Sequence, residues 1–276
     1  VRVDGKRVVV TGASSGIGRA LAFALAERGA VLTIAARRAD RLEYVAQEVG
    51  ERFPSSQAPV AVRCDVSNAA DVSALIGGTV ERLGGVDVLI NNAGISVFGE
   101  EARTSVDDYR NLMAVNFFGA VHAMREVLPF MRRQESGLIV NVASVAALYG
   151  VPYLAAYCAS KAALVVLSQS LRAELHGSGV RVMLAYPGYT ESEIFEREKR
   201  VGGARRPPGR YAPAAEVAEA IARGIETDAR DVYLTLRGRA LNVLRGLSQP
   251  IVERAMRNIA RDLADADAPP SEDGSP

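Results

Sequence analysis

The chain has 276 residues, 33 Lys and Arg against 32 Asp and Glu, and 49% hydrophobic residues. That length can bury a large core in one domain or two, the near-zero net charge leaves no electrostatic footprint for nucleic acid, and no apolar run approaches the roughly 18 residues of a membrane span. Two cysteines, Cys64 and Cys158, are too few for a disulfide framework and fit a reducing, cytoplasmic compartment, while two histidines, His122 and His176, argue against a His-built metal site. The chain starts at Val1 rather than Met, which leaves room for a removed targeting segment.

In chain order, the candidate strands are Arg7–Val10, Val31–Ala35, Val60–Arg63, Val86–Ile90, Leu138–Val142, Val180–Ala185 and Asp231–Leu234. Most are continuous Val/Ile/Leu runs without in/out alternation, the pattern of strands covered on both faces of a parallel sheet. Between them lie helix-period segments at Gly18–Arg28, Asp40–Glu51, Ala69–Leu83, Ser105–Arg133, Leu154–His176 and Ala214–Thr227. The alternation predicts an α/β fold, a doubly wound Rossmann-type parallel sheet of about seven strands with helices on both faces.

Three later stretches differ. Gly202–Arg210 is a Gly/Pro/Arg loop; Arg237–Leu263 reads as two amphipathic helices with Pro250 in the first turn of the second; Ala264–Pro276 is acidic and Pro/Ser-rich, a disordered tail by composition. The expected division is therefore 1–236 as the α/β domain, 237–263 as a helical extension and 264–276 as a tail. For the extension, packing on the chain's own core ranks first, closely followed by a dimer interface, and contact with an anionic membrane third.

The first strand runs into Thr11-Gly12-Ala13-Ser14-Ser15-Gly16-Ile17-Gly18, where a helix opens. A strand–glycine turn–helix brings backbone close to a pyrophosphate and offers it the N–H groups and dipole of the helix N-terminus. The spacing is GxxxGxG rather than GxGxxG. At the end of the second strand an acid would bind the ribose 2′-hydroxyl of NAD, whereas an Arg accommodates the 2′-phosphate of NADP. Here Ala35-Ala36-Arg37-Arg38 has no acid, so Arg37 is the candidate phosphate clamp with Arg38 as helper, and NADP(H) is favoured over NAD(H).

Tyr157 and Lys161 stand at i and i+4, on one face of one predicted helix. A nearby ammonium stabilises a phenolate and pulls the Tyr pKa down from about 10, as a general acid/base working near neutrality requires. The strand ending Asn141-Val142-Ala143-Ser144 brings the Ser144 hydroxyl to the sheet's C-terminal edge, where open α/β sheets bind ligands.

Taken together, Thr11–Gly18, Asn91-Asn92-Ala93-Gly94, Ser144, Tyr157/Lys161 and Pro187-Gly188 resemble, in order and spacing, the short-chain dehydrogenase/reductase superfamily in its compact single-domain branch, over roughly residues 5–235. The resemblance implies that Tyr157 exchanges a proton with a carbonyl or hydroxyl oxygen, Lys161 lowers its pKa and binds the nicotinamide ribose, Ser144 holds the substrate oxygen, and Asn116 kinks its long helix and supports a proton path. It also implies a cofactor site built from Gly12, Ser14, Ser15, Gly16, Ile17 and Gly18, Asp65 and Val66 at the adenine, Asn92, Ala93 and Gly94 at its ribose, and Pro187, Gly188 and Thr190 along the nicotinamide. Two departures stand out: Ser192 replaces the family's Thr five residues after the Pro, and Ser15 stands where NADP-preferring members often carry a basic residue.

The expected activity is hydride transfer between NADP(H) and a carbonyl or secondary alcohol of a lipophilic substrate, chosen by Ile95–Phe98, Val145–Tyr153 and Tyr189–Arg210, with Glu193–Arg210 lid-like. Reduction of a β-ketoacyl thioester on a carrier protein is the alternative enzyme reading, and a non-catalytic NADP-binding scaffold ranks behind both. The expected partners are a small molecule and further copies of the chain, as a homodimer or homotetramer. His122, His176 and Cys158 read as structural.

Overall fold

The computed structural model describes residues 2–54, 56–191, 193–196, 198–202 and 211–235, together with positions 254, 256 and 257. Strands β1 (Arg7–Thr11), β2 (Val31–Ala36), β3 (Val60–Arg63), β4 (Val88–Asn91), β6 (Gly137–Val142), β7 (Val180–Tyr186) and β9 (Asp231–Tyr233) form one parallel sheet in the order β3-β2-β1-β4-β6-β7-β9. The chain winds outward from β1 to β3, then returns to start β4 on the other side of β1. That reversal opens a crevice at the C-terminal ends of β1 and β4.

Helices cover both faces, which is why apolar residues dominate the middle of the strands. On one face α1 (Gly16–Ala26), α2 (Ala39–Arg52) and α8 (Ala214–Glu226) bury Leu21, Leu25, Val45 and Ile221 against Val8, Val10, Ile34 and Val140. On the other, α3 (Ala69–Leu83), α5 (Gly119–Arg133) and α6 (Ala155–Glu174) bury Leu75, Val127 and Leu164 against Val9, Leu89 and Ile139. Alternate residues of one strand serve opposite cores, as the pleat requires.

The predicted helix Ser105–Arg133 is not one helix. It divides into α4 (Val106–Met113), a π-helical turn at Ala114–Phe118 and α5, with Ser105 and Asp108 closing a capping box at its start. A second departure is a small parallel ribbon of β5 (Val97–Gly99) and β8 (Lys199–Val201), pinned by Lys199 Nζ on Asp108 at 2.7 and 2.9 Å. A short helix, α7 (Glu193–Glu196), precedes β8. Most of the expected Gly/Pro/Arg loop, the amphipathic extension and the acidic tail lie outside the described residues. Among the described residues, no helix is long and apolar enough to cross a membrane.

Candidate active site

The glycine turn owes its sequence to crowding. Gly12 and Gly16 have φ of +69° and +53°, a region that disfavours any Cβ, and a Cβ on Gly12 would lie 2.7 Å from Ala93 Cα. The loop after β4 is fused to this turn. Asn92 Nδ2 donates to Thr11 O at 2.9 Å, and Thr11 Oγ1 accepts from the backbone N–H groups of Asn92 and Ala93 at 3.1 and 3.2 Å. Helix α1 then opens behind an extended Ser15, with no side-chain cap and no acid in its first turn. Its N-terminal dipole faces the crevice, where an anion is favoured.

A cavity of about 570 Å³ fills the crevice. Its walls bring together Gly12, Ser14–Ile17, Arg37, Arg38, Asp65, Val66, Asn92–Gly94, Ser144, Tyr157, Lys161, Pro187, Gly188 and Thr190. Two of the residues singled out from the sequence stand behind the wall. Gly18 packs against the Gly12 carbonyl, which a Cβ there would strike. Asn116 is buried within the π-helical turn.

The two arginines after β2 stand in different surroundings. Arg37 is exposed at the rim, while Arg38 turns inward: its Nη2 donates to Ser14 Oγ and Ser15 Oγ, both at 2.9 Å, and its Nη1 to Glu193 Oε2 at 2.7 Å. Across the cavity, burial pushes the Asp65 carboxyl up. Two hydrogen bonds from Ser67 and the charges of Arg37 and Arg63 outweigh this and hold it below the usual carboxylate range.

On α6, Tyr157 and Lys161 lie one turn apart at the other end of the cavity. Lys161 is only 3% exposed and its Nζ donates to Val142 O at 2.8 Å. Burial lowers this ammonium to about 8, so it still carries its charge at neutral pH. Ser144 is buried at the end of β6. Its Oγ accepts from Ala146 N at 3.1 Å and donates to Pro187 O at 3.4 Å, which fixes the hydroxyl at the rim of the sheet. A phenol, a buried ammonium and a fixed hydroxyl converging on one cavity can bind an oxygen atom and move a proton to or from it.

Several supporting contacts escaped the sequence reading. Asn91 Nδ2 donates to Asn141 Oδ1, and Asn141 Nδ2 to Ser168 Oγ, each at 2.8 Å, in a buried chain linking β4, β6 and α6. An asparagine inside the otherwise apolar run Leu138–Val142 was the available signal. Ser96 Oγ donates to the buried Glu198 at 2.5 Å, across the β5–β8 ribbon. Of the three segments expected to choose the substrate, the cavity wall takes Ile95 and Ser96 from the first and Thr190, Glu193 and Ile194 from the third. The second packs inward instead, with Tyr153 stacked on Phe98 at 5.8 Å. Cys158 accepts a hydrogen bond from Val151 N and burial pushes its thiol up, as suits a packing residue.

The family model described as short chain dehydrogenase matches residues 6–201. A dehydrogenase/reductase SDR family protein 7-like protein of Anopheles gambiae is 33% identical over 95% of this chain and 85% of its own length. The 11-beta-hydroxysteroid dehydrogenase A of Sesamum indicum is 38% identical over 94% of this chain and 66% of its own. A short chain dehydrogenase/reductase from Burkholderia phymatum, solved in complex with NAD, superposes with a TM-score of 0.77 at 27% identity, covering 100% of this chain and 99% of that one.

Proposed function

The chain belongs to the short-chain dehydrogenase family, whose members act on alcohol and carbonyl groups, and from that premise we propose that it is an NADP(H)-dependent oxidoreductase of a lipophilic carbonyl compound or secondary alcohol. The observation that carries the reading is the buried Lys161 ammonium held one helical turn from Tyr157 at the cavity wall, with Ser144 on the neighbouring strand end.

The residues present fit a dinucleotide. The first turn of α1 has no capping side chain, and the adjoining loop leaves no room for a Cβ at Gly12. Ser14–Ile17 would hold the diphosphate, Asp65 and Val66 the adenine end, Asn92–Gly94 its ribose, and Pro187, Gly188 and Thr190 the nicotinamide end. The bound nicotinamide supplies or takes up the hydride. Ser144 Oγ orients the substrate oxygen, and Tyr157 Oη gives it a proton during reduction or removes one during oxidation. The Lys161 charge favours the phenolate and so brings Tyr157 toward a working pKa near neutrality. Asn116 shapes the wall that carries Ile95.

The absence of an acid after β2 and the paired Arg37 and Arg38 support NADP(H). Ile95 in the wall and the name of the sesame relative support a lipophilic, steroid-like substrate. Exposed Val106, Phe118 and Val166 on α4, the π-helical turn and α6 support self-association as a homodimer or homotetramer, which mass in solution tests. For the activity, the test is a panel of lipophilic ketones and alcohols and carrier-bound β-ketoacyl thioesters, run with NADPH/NADP⁺ and with NADH/NAD⁺. Turnover of the lipophilic panel with NADP(H) is expected. Equal efficiency with NAD(H) overturns the cofactor assignment, and turnover of the thioesters alone overturns the substrate class.

A further inference from the structure

Arg38 and the two turn serines form a small polar cluster at the glycine turn. The guanidinium points inward from the N-cap of α2, and Ser14 Oγ and Ser15 Oγ converge on it at 2.9 Å from the glycine turn. The guanidinium's Nη1 is taken by a carboxylate of the chain itself. Glu193, on α7 at the opposite lip of the cavity, reaches across the opening to Arg38 at 2.7 Å and to Arg41 at 2.5 Å. Arg38 holds its carboxyl below the usual range, with Arg41 adding to the effect. Both side chains are about a quarter exposed, so the contact is screened only in part.

We propose that Glu193 is a specificity-determining residue of the cofactor site: its carboxylate occupies the Arg38 guanidinium as an internal anion that the 2′-phosphate of NADP(H) must displace. This rests on the assignment of NADP(H) above. The chemistry follows from charge. A phosphate dianion on Arg38 meets the Glu193 carboxylate at the same guanidinium, and the two anions repel; a 2′-hydroxyl carries no charge and has no such competitor to remove. Glu193 therefore weakens binding of the phosphorylated cofactor selectively. Displaced, it would release α7 from the arginine lip, which couples occupancy of the adenosine end to the segment between Thr190 and the β5–β8 ribbon.

The test is titration of the full chain, as wild type, Glu193→Gln and Arg38→Ala, with NADPH and NADH and with the fragments adenosine 2′,5′-bisphosphate and AMP. Glu193→Gln is expected to tighten NADPH and the bisphosphate severalfold and to leave NADH and AMP unchanged. Equal changes in both members of each pair, or no change in any, overturn the proposal. Weaker NADH binding in Glu193→Gln also overturns it, because Glu193 would then be serving the ribose hydroxyl as the acid missing from β2. The underlying assignment fails separately, if wild type does not prefer NADPH or if Arg38→Ala loses NADPH and NADH equally. The comparison of Glu193→Gln with wild type retains its meaning in that event.

Discussion

The side-chain amide of Asn116 is joined twice to the backbone of Ile95: Oδ1 accepts from Ile95 N at 2.8 Å, and Nδ2 donates to Ile95 O at 3.0 Å. Nδ2 also donates to Ser160 Oγ at 3.0 Å, and Ser160 Oγ donates to Tyr157 O at 2.8 Å. One buried amide thus ties the π-helical turn, the loop after β4 and the helix bearing Tyr157 into a single unit. Such turns inside α-helices recur at functional sites.

Asn116→Leu removes all three bonds and leaves the Ile95 amide without its side-chain partner. It should destabilise the chain by about 1–3 kcal/mol, read by chemical denaturation. Because Asn116 positions the wall without lining the cavity, kcat should fall more than affinity for the dinucleotide. An unchanged kcat would remove the positioning role.

Tyr157→Phe deletes the proton donor and little else. Turnover should drop by roughly 10²–10⁴-fold, the usual contribution of general acid–base catalysis, while dinucleotide binding followed by fluorescence stays near the wild-type value. Full activity in this variant would end the proposed mechanism.

Lys161 links catalysis to pH in two ways. Burial puts its folded value at about 8 against 10.5 for the free side chain. Between those values the unfolded chain binds more protons, so this group's contribution to stability increases as pH rises through that window, and below about 8 the buried charge is a cost. Lys161→Met should therefore raise the melting temperature of the cofactor-free chain at neutral pH. The gain, of order 1 kcal/mol, is reduced by the lost bond to Val142 O. The same variant should move the pH limb of alcohol oxidation upward, toward the free tyrosine value of about 10. A limb that stays in place would dissociate Lys161 from the phenol.

Gly12→Ala places a Cβ at a φ of +69° and 2.7 Å from Ala93 Cα. The backbone penalty alone is roughly 1–2 kcal/mol. Since the turn would face the diphosphate common to both cofactors, NADPH and NADH should be weakened alike. Arg37→Ala should instead weaken NADPH selectively, and isothermal titration of the two variants separates these effects.

Much of the site was legible before folding because its chemistry is local. Tyr157 and Lys161 are four residues apart on one helix, and the turn Thr11–Gly18 is contiguous, so periodicity and spacing suffice to place them together. The strands were legible for a similar reason, since a sheet covered on both faces demands apolar runs such as Val8–Val10 and Val88–Ile90. Helix spacing alone, by contrast, could not show the break at Ala114–Phe118. The residues that disfavour a helix, Gly119 and Pro129, lie beyond the break and within α5.

Composition and charge at the outset bounded this protein to an α/β chain of near-zero net charge, and periodicity and motif spacing determined its sheet, its glycine turn and its Tyr–Lys pair. The tertiary structure decided what depends on groups distant in sequence. It placed Asn116 on Ile95 across 21 positions, Asn141 between Asn91 and Ser168, and Glu193 on Arg38 across 155. Side-chain hydrogen bonds and ion pairs act over a few ångströms and leave no period along the chain. Only the winding of the sheet, which brings the two lips of the crevice together, could choose those partners.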